Sequence, residues 1–201
     1  MESYLPTGNE FLSLPKINEL TAGIEDITYL SMQHKGMIEI RGGDEMPLIR
    51  PFLRVGGQRV PLTECHWHRD CYWIPVLTAK ADNMAFTMTI LLPVGERGFA
   101  IRMELNGNSS EEISWGLEGC WGSRHCVNED KPLDGTMHCY ESGWNHSIVF
   151  DFRCGTPMFA FAPMADREIH SAFSQTEQSV TYTLTESFVL SAGTPHSTVF
   201  Y

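Results

Sequence analysis

The densest group of chemically capable side chains is the run Glu64-Cys65-His66-Trp67-His68-Arg69-Asp70-Cys71-Tyr72-Trp73. On a β-strand His66 and His68 would stand on one face, a spacing that sheet-borne metal sites use. Zinc or iron also needs a third ligand and an open position. His125, Cys126, His138 or Cys139 could supply a ligand only through tertiary folding, so the sequence assigns no metal set. The plainer reading is a polar, aromatic-rich edge or loop. A second chemistry is hydrolysis of a glycosidic bond, which needs two carboxyls flanking it at a defined separation. Glu39, Asp44, Glu45, Glu64, Asp70, Glu118, Glu129, Asp130 and Asp134 are all available. No local motif singles out a pair, and they read as surface acids on turns. No catalytic residue is assigned.

A third chemistry belongs to the tryptophans at 67, 73, 115, 121 and 144. Aromatic faces pack on the C–H patches of sugar rings beside polar groups that fix the hydroxyls. The competing reading is that large aromatics fill a wide core, their indole N–H groups finding nearby acceptors. Trp121, followed by Gly122-Ser123, and Trp144, between Gly143 and Asn145, read as loop residues and lead the carbohydrate-binding candidates. Trp67 and Trp73 complete that set. The chain has no GxSxG, no Walker-type loop and no GxGxxG opening a helix, and no cofactor is expected.

Charge narrows the partners. The formal net charge is −11 with only 14 Lys and Arg, and those are scattered, which disfavours nucleic acid. No apolar run reaches the length of a membrane span. The N-terminus shows no basic segment leading into an apolar one, so the expected compartment is the cytosol. There the six cysteines, at 65, 71, 120, 126, 139 and 154, are expected as free thiols.

These residues must be positioned by strands. Apolar runs punctuated by Gly, Asn, Asp and Pro recur at Ile24–Met32, Met37–Arg41, Leu48–Val55, Met84–Leu92, Phe99–Leu105, Ile113–Leu117, His146–Arg153, Met158–Pro163 and Val180–Leu190. Gly56-Gly57 reads as a tight hairpin turn. Only Asn9–Leu20 and Asp166–Phe173 suggest short helices. Ten to fourteen strands predict an all-β domain over 1–201, a large antiparallel two-sheet sandwich with residues 1–23 as a lead-in. The chain stops on the apolar Ser197-Thr198-Val199-Phe200-Tyr201. This reads either as a closing strand or as the point of departure from a longer polypeptide. An exposed apolar patch near Val199–Tyr201, and self-association through it, would follow from the second reading.

Several stretches together carry a family resemblance. They are Gly36–Glu45, Pro47–Val55, Asp70–Pro75, Leu91–Phe99, Gly116–Trp121 and Ser142–Trp144. In this order, over roughly residues 25 to 201, they resemble the N-terminal supersandwich domain of bacterial glycoside hydrolases related to glycogen debranching enzymes. The resemblance implies a non-catalytic domain preceding an (α/α)₆-barrel catalytic domain, which would be its partner. It also implies α-glucan-like or other oligosaccharide substrates for the parent, with sugar contact by this domain as a further expectation. The acid and base carboxylates would belong to the barrel. Two alternatives remain. One is a mutarotase-type epimerase, with the galactose-mutarotase-like fold and a proton shuttle of His66 or His68 with Glu118. The other is a free-standing carbohydrate-binding module.

Overall fold

Alternation of side chains builds this molecule. Strand β9 (Met84–Leu91) buries Met84, Phe86, Met88 and Ile90 while Ala85 and Leu91 face outward. Strand β18 (Val180–Val189) likewise buries Val180, Tyr182, Leu184 and Glu186. The computed structural model describes residues 3–32, 35–133, 135–151, 159–162 and 168–201. Among these, one three-residue 3₁₀ turn at Val127–Glu129 is the sole helical element, and no helix is long and apolar enough to cross a membrane.

Every strand pairing is antiparallel, and hydrogen bonding divides the strands into four sheets. The first runs β1 (Tyr4–Gly8), β2 (Leu12–Asn18), β3 (Asp26–Ser31), β4 (Gly36–Arg41), β12 (Arg124–Cys126) and β13 (Lys131–Pro132). The second runs β19 (His196–Phe200), β10 (Ala100–Asn106), β9, β8 (Ile74–Ala81) and β7 (Leu62–Asp70). In the third, β17 (His170–Gln175), β18, β11 (Glu112–Trp121), β5 (Arg50–Val55) and β6 (Gln58–Arg59) lie side by side. The last holds β14 (His138–Glu141), β15 (Ile148–Asp151) and β16 (Phe159–Phe161). All four face one contiguous core that includes Ile27, Ile38, Leu77, Met103, Trp115, Leu117, Phe150 and Phe200. The all-β, antiparallel expectation is met, and the four sheets stand about one core in a propeller-like arrangement.

Several local expectations change. Asn9–Leu20 is not a helix. Leu12 and Leu14 point inward at a period of two along β2, and Pro15 in mid-segment would break a helical ladder. The supposed lead-in therefore supplies two strands of the largest sheet. The described part of Asp166–Phe173 runs into strand β17, while Asp166 and Arg167 lie outside the described residues. Phe152, Arg153, Cys154, Met158, Pro163 and Asp134 also lie outside them. Strand β8 carries a poor signal because Pro75, Ala79 and Ala81 fill inward positions that branched side chains usually take. The Gly56-Gly57 hairpin is present, with φ of +56° and +82°. Cys65, Cys71, Cys120, Cys126 and Cys139 are free thiols.

Candidate functional site: an aromatic cleft

A cavity of about 690 Å³ opens between β2, β3, β16, the β9–β10 loop and the C-terminal residue. Seven rings line it: Phe11, Tyr29, Phe99, Trp121, Phe159, Phe161 and Tyr201. Glu10, Ser31 and Arg97 supply polar groups. A volume of this size, with an apolar lining and a few polar side chains, is what small-molecule sites use.

Each wall is fixed by local chemistry. Asn9 turns β1 into β2 by accepting from the N–H groups of Phe11 and Leu12 through Oδ1, at 2.9 and 3.0 Å. Its Nδ2 donates to the carbonyls of Pro93 and Glu96, at 2.8 and 2.9 Å, and so ties this turn to the β9–β10 loop. Gly95 N–H donates to Glu10 Oε1 at 2.6 Å. The Arg97 guanidinium sits 5.3 Å from the centroid of Phe11. Tyr201 reaches the rim because its backbone exchanges two hydrogen bonds with Ala162, at 2.9 and 2.8 Å. Its ring lies against Gly98, where a Cβ would come within 2.6 Å of the Tyr201 hydroxyl. Of the three residues expected as an apolar patch, Phe200 is fully buried, Val199 half-buried and Tyr201 exposed.

Trp121 is the floor. It is only 1% exposed, which corrects its reading as a surface loop residue. It ends β11 and stacks on Phe150 with centroids 4.3 Å apart and an interplanar angle of 10°. Phe159 leans on it at 5.3 Å. Its neighbour Gly122 follows a strand and not an open loop, since Gly122 N–H donates to the Arg41 carbonyl at 2.9 Å. The other tryptophans are not gathered here. Trp144 is 92% exposed on the turn between β14 and β15. Trp73 is 53% exposed beside the β7–β8 turn, its carbonyl accepting from Thr7 Oγ1 at 2.9 Å. Trp67 is half-buried and donates to the Glu19 carbonyl at 2.9 Å. Trp115 is wholly buried core.

The catalytic alternatives disperse. His66 and His68 do share a face of edge strand β7, and both are exposed. Glu118 stands in another sheet, held by arginines: Arg50 Nε and Arg59 Nη2 each donate to Oε1 at 2.6 Å, and Arg59 Nη1 to Oε2 at 3.3 Å. It is not poised beside either histidine, so the His–Glu shuttle is not formed. Burial drives the Glu118 pKa up, but the hydrogen bonds from Arg59 and Arg50 outweigh it and hold the carboxyl below its usual range. A depressed carboxyl stabilises the fold above the unfolded pKa of about 4.3, and loses that contribution as pH falls through the lower folded value. Urea denaturation from pH 7 to pH 3 should therefore show a slope in acid that Glu118→Gln flattens. Identical slopes would deny the linkage.

Paired carboxyls do occur, between Glu39 and Asp26, a strand residue that was not among the candidate acids. Asp26 is 1% exposed, and its pKa is raised chiefly by burial. Glu39 feels the same burial, but hydrogen bonds from Arg41 and Asp26 keep its pKa lowered. Lys16 closes over Asp26 at 2.8 Å and Glu39 at 3.8 Å. Neither carboxyl lines the cleft. Glu64 pairs with Lys80, Asp70 with His68 and Asp130 with His125, while Asp44, Glu45 and Glu129 stand exposed. Among the described residues no three His, Cys, Asp or Glu side chains converge to hold a metal ion.

The cleft residues that sequence reasoning missed are Phe11, Tyr29, Phe99, Phe159 and Arg97. They come from segments as far apart as residues 11 and 159, and no local motif joins them. No protein-family profile matches the chain, and no curated protein matches it.

Proposed function

We propose that this chain is a non-catalytic β domain of a carbohydrate-active enzyme of the (α/α)₆-barrel type, and that it meets sugar in the aromatic cleft. The reading rests on one observation above all: seven rings converge on a cleft of about 690 Å³ with Arg97, Glu10 and Ser31 on its walls. Ring faces suit the apolar C–H patches of a pyranose, and the three polar side chains suit its hydroxyls. The converging groups make a binding surface and not an acid–base pair, consistent with chemistry carried by a barrel domain. The site differs from that of a module binding through exposed Trp144 alone.

The two-layer supersandwich belongs to the same reading. Strand β11 runs through Gly122 and Ser123 into β12, and Arg41 bonds to both of those linking residues at 2.9 Å, which joins the first sheet to the third. The Tyr201–Ala162 pair likewise joins the second sheet to the fourth. On this reading the four sheets pair into two bent layers about the core.

Titration with maltose-series oligosaccharides, followed by calorimetry and tryptophan fluorescence, tests this. Saturable binding is expected. Phe11→Ala and Arg97→Ala should each weaken it about fivefold or more, the loss of one ring or one cation contact. Trp144→Ala should leave it unchanged. A flat titration by a folded sample refutes the cleft as a sugar site; loss only in Trp144→Ala moves the site to that turn.

A further inference from the structure

One face of β5, β6 and β11 holds more guanidinium than carboxylate. Arg50, Phe52 and Arg54 share a face of β5, with the Arg54 guanidinium 5.2 Å from the Phe52 centroid. Arg59 stands directly opposite Arg54 in the β5–β6 ladder. Like charges at facing positions repel, and this is a chain of net charge −11 with few cations to spare. Among the described residues, Glu118 is the carboxylate that pairs with these arginines. Glu112 shares this face of β11 at its far end but forms no ion pair with them.

The geometry leaves donors unused. Arg50 spends Nε on Glu118 Oε1, where Arg59 Nη2 also donates. The Arg50 side chain is only 27% exposed, yet its two terminal amines bond to no described residue. Beside them lies a second cavity of about 220 Å³, lined by Arg50, Arg59, Phe52, Leu62, Phe86 and Thr21 among others. Thr21 Oγ1 accepts from Gly23 N–H at 3.2 Å and keeps its own proton to donate.

We propose that this cavity binds a small oxyanion, the phosphate or carboxylate group of a metabolite-sized ligand. Arg50 and Arg59 form the cradle, with Thr21 as a hydroxyl donor and Phe52, Leu62 and Phe86 as the apolar floor. Glu118 holds the two guanidiniums in position and takes up one of their two charges, leaving one for the ligand. Guanidinium offers planar, forked donors that match either oxyanion, and partial burial strengthens the attraction over that in water.

The test titrates the full chain with inorganic phosphate and, separately, with acetate, at low ionic strength, followed by ¹H–¹⁵N NMR. Saturable shifts confined to the surroundings of Thr21, Arg50, Phe52 and Arg59 are expected, and the tighter of the two anions names the group. Arg50→Gln should weaken binding about tenfold or more, as the loss of a charge-assisted pair implies. Should it fail to fold, Arg59→Gln, at a half-exposed position, carries the same expectation. Glu118→Gln removes the resident competitor. It should bind phosphate about tenfold tighter, and phosphate should raise its melting temperature more than that of the parent. A purely structural triad predicts only loss of stability in that variant. The proposal fails if neither anion saturates, if chloride at matched ionic strength reproduces the shifts, if a folded arginine variant binds unchanged, or if folded Glu118→Gln binds no better than the parent.

Discussion

Replacing Gly119 with alanine should lower the unfolding free energy by at least ~3 kcal/mol, at the upper end of overpacking changes. A Cβ there would lie 2.0 Å from the carbonyl oxygen of Leu48 and 2.9 Å from the ring of Tyr182. The obstructing atom is backbone, so no rotamer change clears it. Nor is it free to retreat, since the Leu48 carbonyl accepts from the buried Tyr182 hydroxyl at 3.0 Å and Leu48 is itself fully buried. The next residue adds a further tie, Cys120 N–H to the Pro47 carbonyl at 3.0 Å. Forcing these apart displaces the end of β11, where Trp121 forms the cleft floor two residues on. Gly143→Ala is the control, because a Cβ there meets nothing within 4 Å. It should stay within about 0.5 kcal/mol of the parent. Urea denaturation of the three proteins decides the matter. A Gly119→Ala midpoint matching that of Gly143→Ala would mean that Leu48 and Tyr182 do not meet β11 in this way. Sugar binding should fall with stability in Gly119→Ala and remain intact in Gly143→Ala.

Why glycine stands at 119 cannot be read from the sequence, because the reason lies 71 residues away at Leu48. The same holds for most of the cleft. Period-two alternation in Met84–Leu91 and Val180–Val189 was legible, since each residue declares its own face. The Gly56-Gly57 turn was legible because its chemistry is complete within four residues. Trp121 misled because a flanking Gly-Ser pair usually marks a loop. Here Gly122 lets two strands cross closely, its would-be Cβ lying 2.6 Å from the Gly42 carbonyl oxygen. Asn9–Leu20 misled because spaced apolar residues fit two periods at once, and only Pro15 spoke against the helix. Asp26 and Glu186 were invisible for another reason. A carboxylate is buried only when donors from other strands surround it, and donors at such separations leave no local trace.

Glu186 is where that principle has its largest energetic consequence. It faces inward from β18 and is 5% exposed. Its Oε2 accepts from Trp115 Nε1 at 3.0 Å and from the Thr198 hydroxyl, while Oε1 meets His196 Nε2 at 3.0 Å. These partners lie on β11 and β19, so one carboxylate ties the third sheet to the edge of the second. The His196 ring stacks on Phe188 and meets Trp115 edge-on at 5.4 Å, which leaves little room to rearrange. Glu186→Ala removes the acceptor shared by an indole N–H and a buried hydroxyl, and opens a cavity as well. It should cost ~3–5 kcal/mol, the range for breaking a buried polar network by deleting one partner. Glu186→Gln keeps one oxygen but turns an amide N–H₂ toward a donor, so a smaller loss of ~1–3 kcal/mol is expected. Thr198→Val should be milder still, and combining it with Glu186→Ala should cost less than the two losses added, by ~1 kcal/mol, because both delete the same bond. Chemical denaturation of the four variants measures the cycle. Strict additivity, or a Glu186→Ala protein as stable as its parent, would remove Glu186 as the clasp. Loosening β19 also frees Tyr201 at its end, so the same variant should bind oligosaccharide more weakly even where it remains folded.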